Sequence, residues 1–296
     1  MSIHEMVDIK NTEYQLRKRY VQVGEHLYVK TDELEIKPLT EEEKANIQIV
    51  FMMGGGGTRL LHRTGGKISK HMIEVGGQPI SKFTIDLWKN GGFSNFCFLI
   101  DNSDMGMSVK SFYENVFSGG ITGEMVRHSY SIEEKKLGSG GAIKQAIENG
   151  TIKTSFINHF PDDQIVGYPN FAEDLAKVFM AAVKAGYQAV VVCTPGSLYP
   201  YGEVIDKDGK VVDFVEKPFI AKDSNTGVFA LSSDTFDLIT ALDTSKGPVK
   251  IERTVLKELA RQGKVFKVLL PTEYWIPVND EPNFKKFEMI VNGSNF

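Results

Sequence analysis

The chain has 296 residues, 42% of them hydrophobic and 24% charged, enough for one large α/β domain or two modest ones and too apolar for a disordered chain. A net charge of −4 lacks the basic excess of a nucleic-acid binder, and no apolar run approaches the roughly 20 residues that cross a bilayer. The opening "MSIHEMVDIK" carries acids and no apolar centre, so no secretory signal is expected. Cys97 and Cys193 both sit inside apolar runs, which predicts buried, reduced thiols and a cytoplasmic protein.

Residues 1–46 differ from the rest in being charged and irregular. "YVQVGEHLYV" (20–29) alternates about Gly24-Glu25 as a short hairpin would. Thr40 with Glu43 three residues on is a capping-box pattern for a brief helix. The segment reads as an extension that packs on the main domain or on a partner subunit. The basic run Arg17-Lys18-Arg19 is expected to be a solvated face.

From Ile47 strands and helices alternate. "IQIVFMM" (47–53) is apolar nearly throughout, as a strand covered on both faces would be. A helix over 79–92 ends at Gly91-Gly92, followed by a strand at 96–101 and a helix at 108–117. A glycine-led helix at 140–150, a strand at 155–160, a helix at 172–186 and a strand at 188–194 come next. This order predicts a mainly parallel, doubly wound α/β sheet flanked by helices. "GEVIDKDGKVVDFVEKP" (202–218) reads as a hairpin turning at Asp208-Gly209, and a helix over 251–263 belongs to a closing αβ portion.

The chemistry begins at "IVFMMGGGGTRLLHRTGGKISKH" (49–71). A strand that ends in glycines and leads into a helix offers bare N–H groups and a positive dipole end to an anion. Arg59 beside that loop is a fork for phosphate oxygens. Two familiar cradles fail on spacing. A Walker A loop needs a glycine where Arg59 stands, and a G-x-G-x-x-G dinucleotide fingerprint needs one at Arg59 or Leu60. A nicotinamide-dependent enzyme is thereby disfavoured. The six histidines form no metal-spaced group, so a zinc site is not expected, and His71 reads as an ordinary loop histidine.

These residues resemble the signature of sugar-1-phosphate nucleotidylyltransferases, AGGxGTRL…PKPMxxVxGxPI. Gly54, Gly55, Gly57, Thr58, Arg59 and Leu60 fall on the pattern and Lys70 on its lysine, while His71 replaces the following proline. "LGSGGAIKQA" (137–146) resembles the family's LGTGGA segment, "PDD" (161–163) its metal-holding turn, "YPYGEVIDKDGKVVDFVEKP" (199–218) its YGVVExDxxGRVxxFxEKP stretch, and "SNTGVFAL" (224–231) its NAGxYxL strand. "YWIPVNDEPNFKKFE" (274–288) resembles WxDIGTPExYxxA, but Pro277 stands where the family has a metal-binding aspartate. The match covers roughly residues 47–288.

The resemblance implies a Rossmann-like, glycosyltransferase-A-like fold. Residues 47–296 would form the transferase domain, with a nucleotide part at 47–200 and a sugar-phosphate part at 201–296. It implies transfer of a nucleotidyl group from a nucleoside triphosphate to a sugar 1-phosphate, with Mg²⁺ and release of pyrophosphate. Arg59, Lys70 and Lys217 would be catalytic. Gly54, Gly55, Gly56, Gly57, Thr58, Gly138, Ser139, Gly140 and Gly141 would hold the nucleotide. Tyr201, Gly202, Glu216, Asn225, Thr226 and Gly227 would hold the sugar phosphate. Asp163 would bind the metal, with Asp162 as its alternate and Asp280 standing in for the aspartate missing at 277. Glu133, Glu134, Lys135 and Lys136 read as a solvent-exposed approach to the second glycine loop. UTP is favoured over GTP by a narrow margin, and a homo-oligomer is expected. The competing reading is a non-catalytic nucleotide-sugar sensor of the same fold, favoured by Pro277 and His71.

Overall fold

A computed structural model describes residues 12–30, 34–55, 58–118, 126–199 and 201–293. Nine strands form its main sheet: β1 (Val21–Val23), β2 (Leu27–Val29), β3 (Gln48–Met52), β4 (Asn95–Asp101), β5 (Arg127–Glu133), β6 (Phe156–Asn158), β7 (Ala189–Thr194), β8 (Ser224–Leu231) and β9 (Val265–Leu269). Their spatial order is β1-β2-β9-β7-β8-β6-β3-β4-β5. The run β6-β3-β4-β5 is parallel throughout, and β7 is parallel to β9. β8 lies antiparallel between β7 and β6, which makes the sheet mixed but mostly parallel.

Alternation along β3 shows why that strand is apolar at nearly every position. Ile49 and Phe51 enter one core with Trp88, Phe98, Tyr113 and Phe179, whereas Val50 and Met52 enter the other with Leu99, Ile143, Phe229 and Leu259. Helices α3 (Ile80–Asn90), α4 (Asp104–Ser118) and α6 (Phe171–Lys184) cover the first face; α5 (Gly138–Glu148) and α7 (Val255–Arg261) cover the second. With both faces covered, a strand has no polar side to show. Cys97 and Cys193 are free and buried, and burial pushes the Cys97 thiol up to about 12.

The hairpin predicted at 20–29 forms as β1 and β2, and β2 meets β9 at the pair Tyr28–Leu269, extending the sheet edge. The extension therefore packs on the main domain, with helix α1 (Thr12–Arg17) preceding the hairpin. Helix α2 (Glu41–Asn46) carries the expected capping box, Thr40 Oγ1 accepting from the Glu43 N–H at 3.1 Å while Glu43 accepts from the Thr40 N–H at 2.9 Å. The 202–218 hairpin forms its own two-stranded ribbon of Glu203–Lys207 and Lys210–Val215. Asp208 and Gly209 both take positive φ, 52° and 77°, as a tight hairpin turn demands.

Candidate active site

β3, β4 and β5 run parallel, so their carboxyl ends open onto one crevice, the usual ligand position in such sheets. Gly54 and Gly55 follow β3 there, and Gly55 adopts φ 116°, a conformation open to glycine alone in practice. The Gly55 N–H donates to Asp101 Oδ2 at 3.3 Å, at the end of β4. Glu133, the last residue of β5, reaches the same place: a Cβ added to Gly54 would lie 3.1 Å from its Oε1. Its Oε2 accepts the Leu137 N–H at 3.0 Å. Gly56 and Gly57 lie outside the described residues.

Glu133 corrects the sequence reading, which placed it on a solvated approach. It is half-buried, and burial together with the Asp101 charge pushes its carboxyl up. Its position at the carboxyl end of a parallel strand was the signal that could have singled it out. Gly138, Gly140 and Gly141 mark a close approach, but of protein to protein. A Cβ on Gly138 would meet Val249 O at 2.6 Å, and the Gly140 N–H donates to that oxygen at 2.8 Å. Ser139 Oγ accepts from the Ile251 N–H at 3.0 Å and donates to Glu252 at 3.2 Å, so it does not cap α5.

The second focus is the turn after β6. Lys70 forms an ion pair with Asp162, which is buried. Burial alone would raise the Asp162 carboxyl, but the Lys70 and His71 charges pull it below the usual range. Asp163 goes the other way, held well above that range by burial and by Asp162 beside it. Two adjacent buried carboxyls with one cation cannot both ionise at low cost. Asp163 Oδ1 accepts from Trp275 Nε1 at 3.1 Å. His159 anchors the turn from beneath. Trp88 Nε1 donates to His159 Nδ1 at 2.9 Å, which leaves the proton on Nε2, and Nε2 donates to Asp163 O at 2.6 Å.

Pro277 pairs with Asp163 across a short antiparallel ladder, Trp275–Pro277 against Asp163–Ile165. The position where the family pattern has its second aspartate thus faces Asp163 directly, and here it carries no carboxylate. Asp280 caps helix α8 (Glu281–Val291), its Oδ1 accepting the Asn283 N–H at 3.0 Å. Among the described residues no group of three or more His, Cys, Asp or Glu is placed to hold a metal ion. The ionised Asp163 carboxylate, half-buried beside Gly227, would nevertheless suit Mg²⁺, because this ion commonly takes one or two carboxylates and fills the rest with phosphate oxygens and water. Arg59 leans onto the same turn, Nη1 donating to Asn279 Oδ1 at 3.1 Å. His71 is a further correction: it is buried, neither ring nitrogen has a hydrogen-bond partner among the described residues, and burial with the Lys70 charge pushes it down to about 3.

Of the sugar-side residues, Gly227 comes closest to this turn. It takes φ 81°, and a Cβ there would lie 2.5 Å from Asp163 Oδ2. Asn225 sits beside it, Oδ1 accepting the Gly227 N–H at 3.2 Å. Thr226 is buried, its hydroxyl donating to Val192 O at 2.9 Å and accepting the Val228 N–H at 3.3 Å, so that hydroxyl is spent within the protein. Tyr201, Gly202, Glu216 and Lys217 lie at the base of the ribbon and are exposed, Glu216 and Lys217 lying 4.0 Å from each other as an ion pair.

A family model described as "Nucleotidyl transferase" matches residues 48–280. The chain belongs to that family. The resemblance read at the glycine loop is borne out, and with it the sugar-1-phosphate nucleotidyltransferase group. Among its relatives is the D-glycero-alpha-D-manno-heptose 1-phosphate guanylyltransferase of Aneurinibacillus thermoaerophilus, 24% identical over 64% of this chain and 77% of that protein. The enzyme of the same description from Campylobacter jejuni is 26% identical over 64% of this chain and 78% of its own length. A Bacillus anthracis structure described as a glucose-1-phosphate thymidylyltransferase superposes with a TM-score of 0.63 at 18% identity, covering 84% of this chain and 97% of that one. That likeness shows the Rossmann-like fold. Among the described residues no helix is long and apolar enough to cross a membrane.

Proposed function

We propose that this transferase carries guanylyl from GTP to a sugar 1-phosphate, releasing pyrophosphate. The observation that carries the choice of base is Glu133. Its Oε1 sits beside the glycine loop without a hydrogen-bond partner among the described residues. A carboxylate is an acceptor only, and guanine offers two adjacent donors, N1–H and the N2 amino group, on one edge. Uracil offers one donor flanked by two carbonyl oxygens that a carboxylate repels. The relatives described as guanylyltransferases support GTP over the UTP favoured from the PDD turn.

An anionic sugar phosphate must attack an anionic α-phosphorus, so the chain's work is alignment and neutralisation. Two unit charges about 4 Å apart repel by roughly 4 kcal/mol at an effective dielectric near 20. Arg59 and Lys70 would take the charge of departing pyrophosphate, Lys70 exchanging Asp162 for phosphate oxygens. Lys217 and Glu216 would hold the sugar phosphate once the ribbon meets it. Bound Mg²⁺ on Asp163 would lower the charge of the reacting phosphates. Pro277 opposite Asp163 favours a second reading, a sensor that binds the nucleotide sugar without making it.

Pyrophosphate release with Mg²⁺, four triphosphates and a panel of sugar 1-phosphates tests both. GTP is expected to turn over at least tenfold faster than UTP or ITP, ITP lacking the second donor. Faster turnover of UTP removes the role of Glu133. Tight nucleotide-sugar binding without release under any combination establishes the sensor.

A further inference from the structure

The residues before position 48 lie outside the matched stretch, yet their described part grips the turn beside Asp163. Thr12 is buried at the start of α1. Its hydroxyl donates to the Glu273 carboxylate and accepts the Thr272 N–H at 3.1 Å. The Glu13 N–H donates to Glu273 Oε1 at 3.3 Å. The Glu13 carboxylate accepts from Tyr274 at 3.2 Å and from Tyr28 at 2.8 Å, and pairs with His26 at 2.7 Å. The His26 ring stacks on Tyr274 with centroids 4.1 Å apart. Arg17, expected on a solvated face, completes the cluster by bonding Tyr28 and Glu13, each at 3.1 Å.

Residues 272–274, all three held in this way, lead directly into Trp275. From there the chain serves the site at successive positions. Trp275 donates to Asp163, the Val278 N–H donates to Asp162 O at 2.7 Å, and Asn279 accepts from Arg59. The stretch has little structure of its own, one short 3₁₀ turn and a three-residue strand. Such a segment opens locally at small cost unless something outside it ties it down.

We propose that Thr12 and Glu13 are positioning residues for Asp163, acting through Glu273, Tyr274 and Trp275. The inference rests on the reading of Asp163 as the carboxylate that serves transfer. It makes the N-terminal extension a brace for the active-site turn, where packing on the main domain or on a partner subunit was the expectation. Losing an outer partner of this kind typically costs about 10–100-fold in metal affinity or activity.

The chain holds two tryptophans, Trp88 and Trp275, so 5-fluorotryptophan labelling gives two ¹⁹F resonances. Thr12→Val is expected to shift or broaden the Trp275 resonance and leave that of Trp88 in place. It should lower kcat about tenfold with the KM for GTP unchanged, and Thr12→Ser should restore both readouts. Tyr274→Phe, which removes only the hydroxyl that reaches Glu13, carries the same test if Thr12→Val does not fold. A Trp275 resonance and a kcat both unmoved in the folded variants overturn the brace. So does a loss of kcat that follows the folded fraction reported by Trp88. Wild-type protein without transferase activity would instead sink the functional reading, and the ¹⁹F experiment would still report the contact.

Discussion

The turn around Asp163 and the ribbon that carries Lys217 contribute charges to one proposed reaction and are built in opposite ways. At the turn, Lys70, Asp162, Asp163 and His159 are each buried or half-buried and each has a named partner. At the ribbon, Glu216 is 78% and Lys217 61% exposed by side chain, and Phe214 is 71% exposed on the hairpin itself. A buried charge has already lost its water, so it acts without further reorganisation. An exposed one must shed water when substrate arrives. The first arrangement suits the stabilisation of a transition state, the second the capture of a substrate.

Substitutions on the two sides should therefore fail differently. The largest loss is expected for Asp163→Asn. It removes the carboxylate proposed to hold Mg²⁺ against the reacting phosphates, so kcat should fall about 10³-fold in steady-state assays. Loss below tenfold would move the metal elsewhere and erase the contrast. Lys217→Ala should act mainly on capture, raising the KM for sugar 1-phosphate about tenfold with a smaller change in kcat. An equal fall in kcat and kcat/KM would place Lys217 with the transition-state groups.

The smallest effect concerns pH. His71 and His159 are held near 3 and 4 in the folded chain against 6.5 for an ordinary histidine, in each case first by burial. The unfolded chain then binds more protons than the folded one between those values. Stability present above about pH 6.5 is lost as pH falls toward 4. His71, with no hydrogen-bond partner for either ring nitrogen among the described residues, has less holding it in place than His159. His71→Leu is expected to raise Tm at pH 5 by a few degrees and to flatten the acid limb of the Tm–pH profile. An unchanged acid limb would show that His71 is protonated in the folded protein.

Most of the fold was legible in the sequence because local rules wrote it. β3 is apolar at every position after Gln48, Thr40 and Glu43 cap α2, and Asp208-Gly209 turns the hairpin. The glycine loop with Arg59 read as an anion cradle, and the family resemblance added Lys70 to it. What escaped were residues whose neighbours come from far along the chain. Glu133 looked like part of a charged surface run until β5 placed it against the loop after β3. Thr226 matched a sugar-binding pattern, yet its hydroxyl is taken by Val192 in the neighbouring strand. Composition and local pattern determined where strands, helices and the anion loop lie, because backbone geometry and side-chain periodicity act over a few residues. Only tertiary contact decided which carboxyl is held ionised, which hydroxyl is spent and what braces Trp275, because burial and pairing depend on groups from 34 to 260 residues apart.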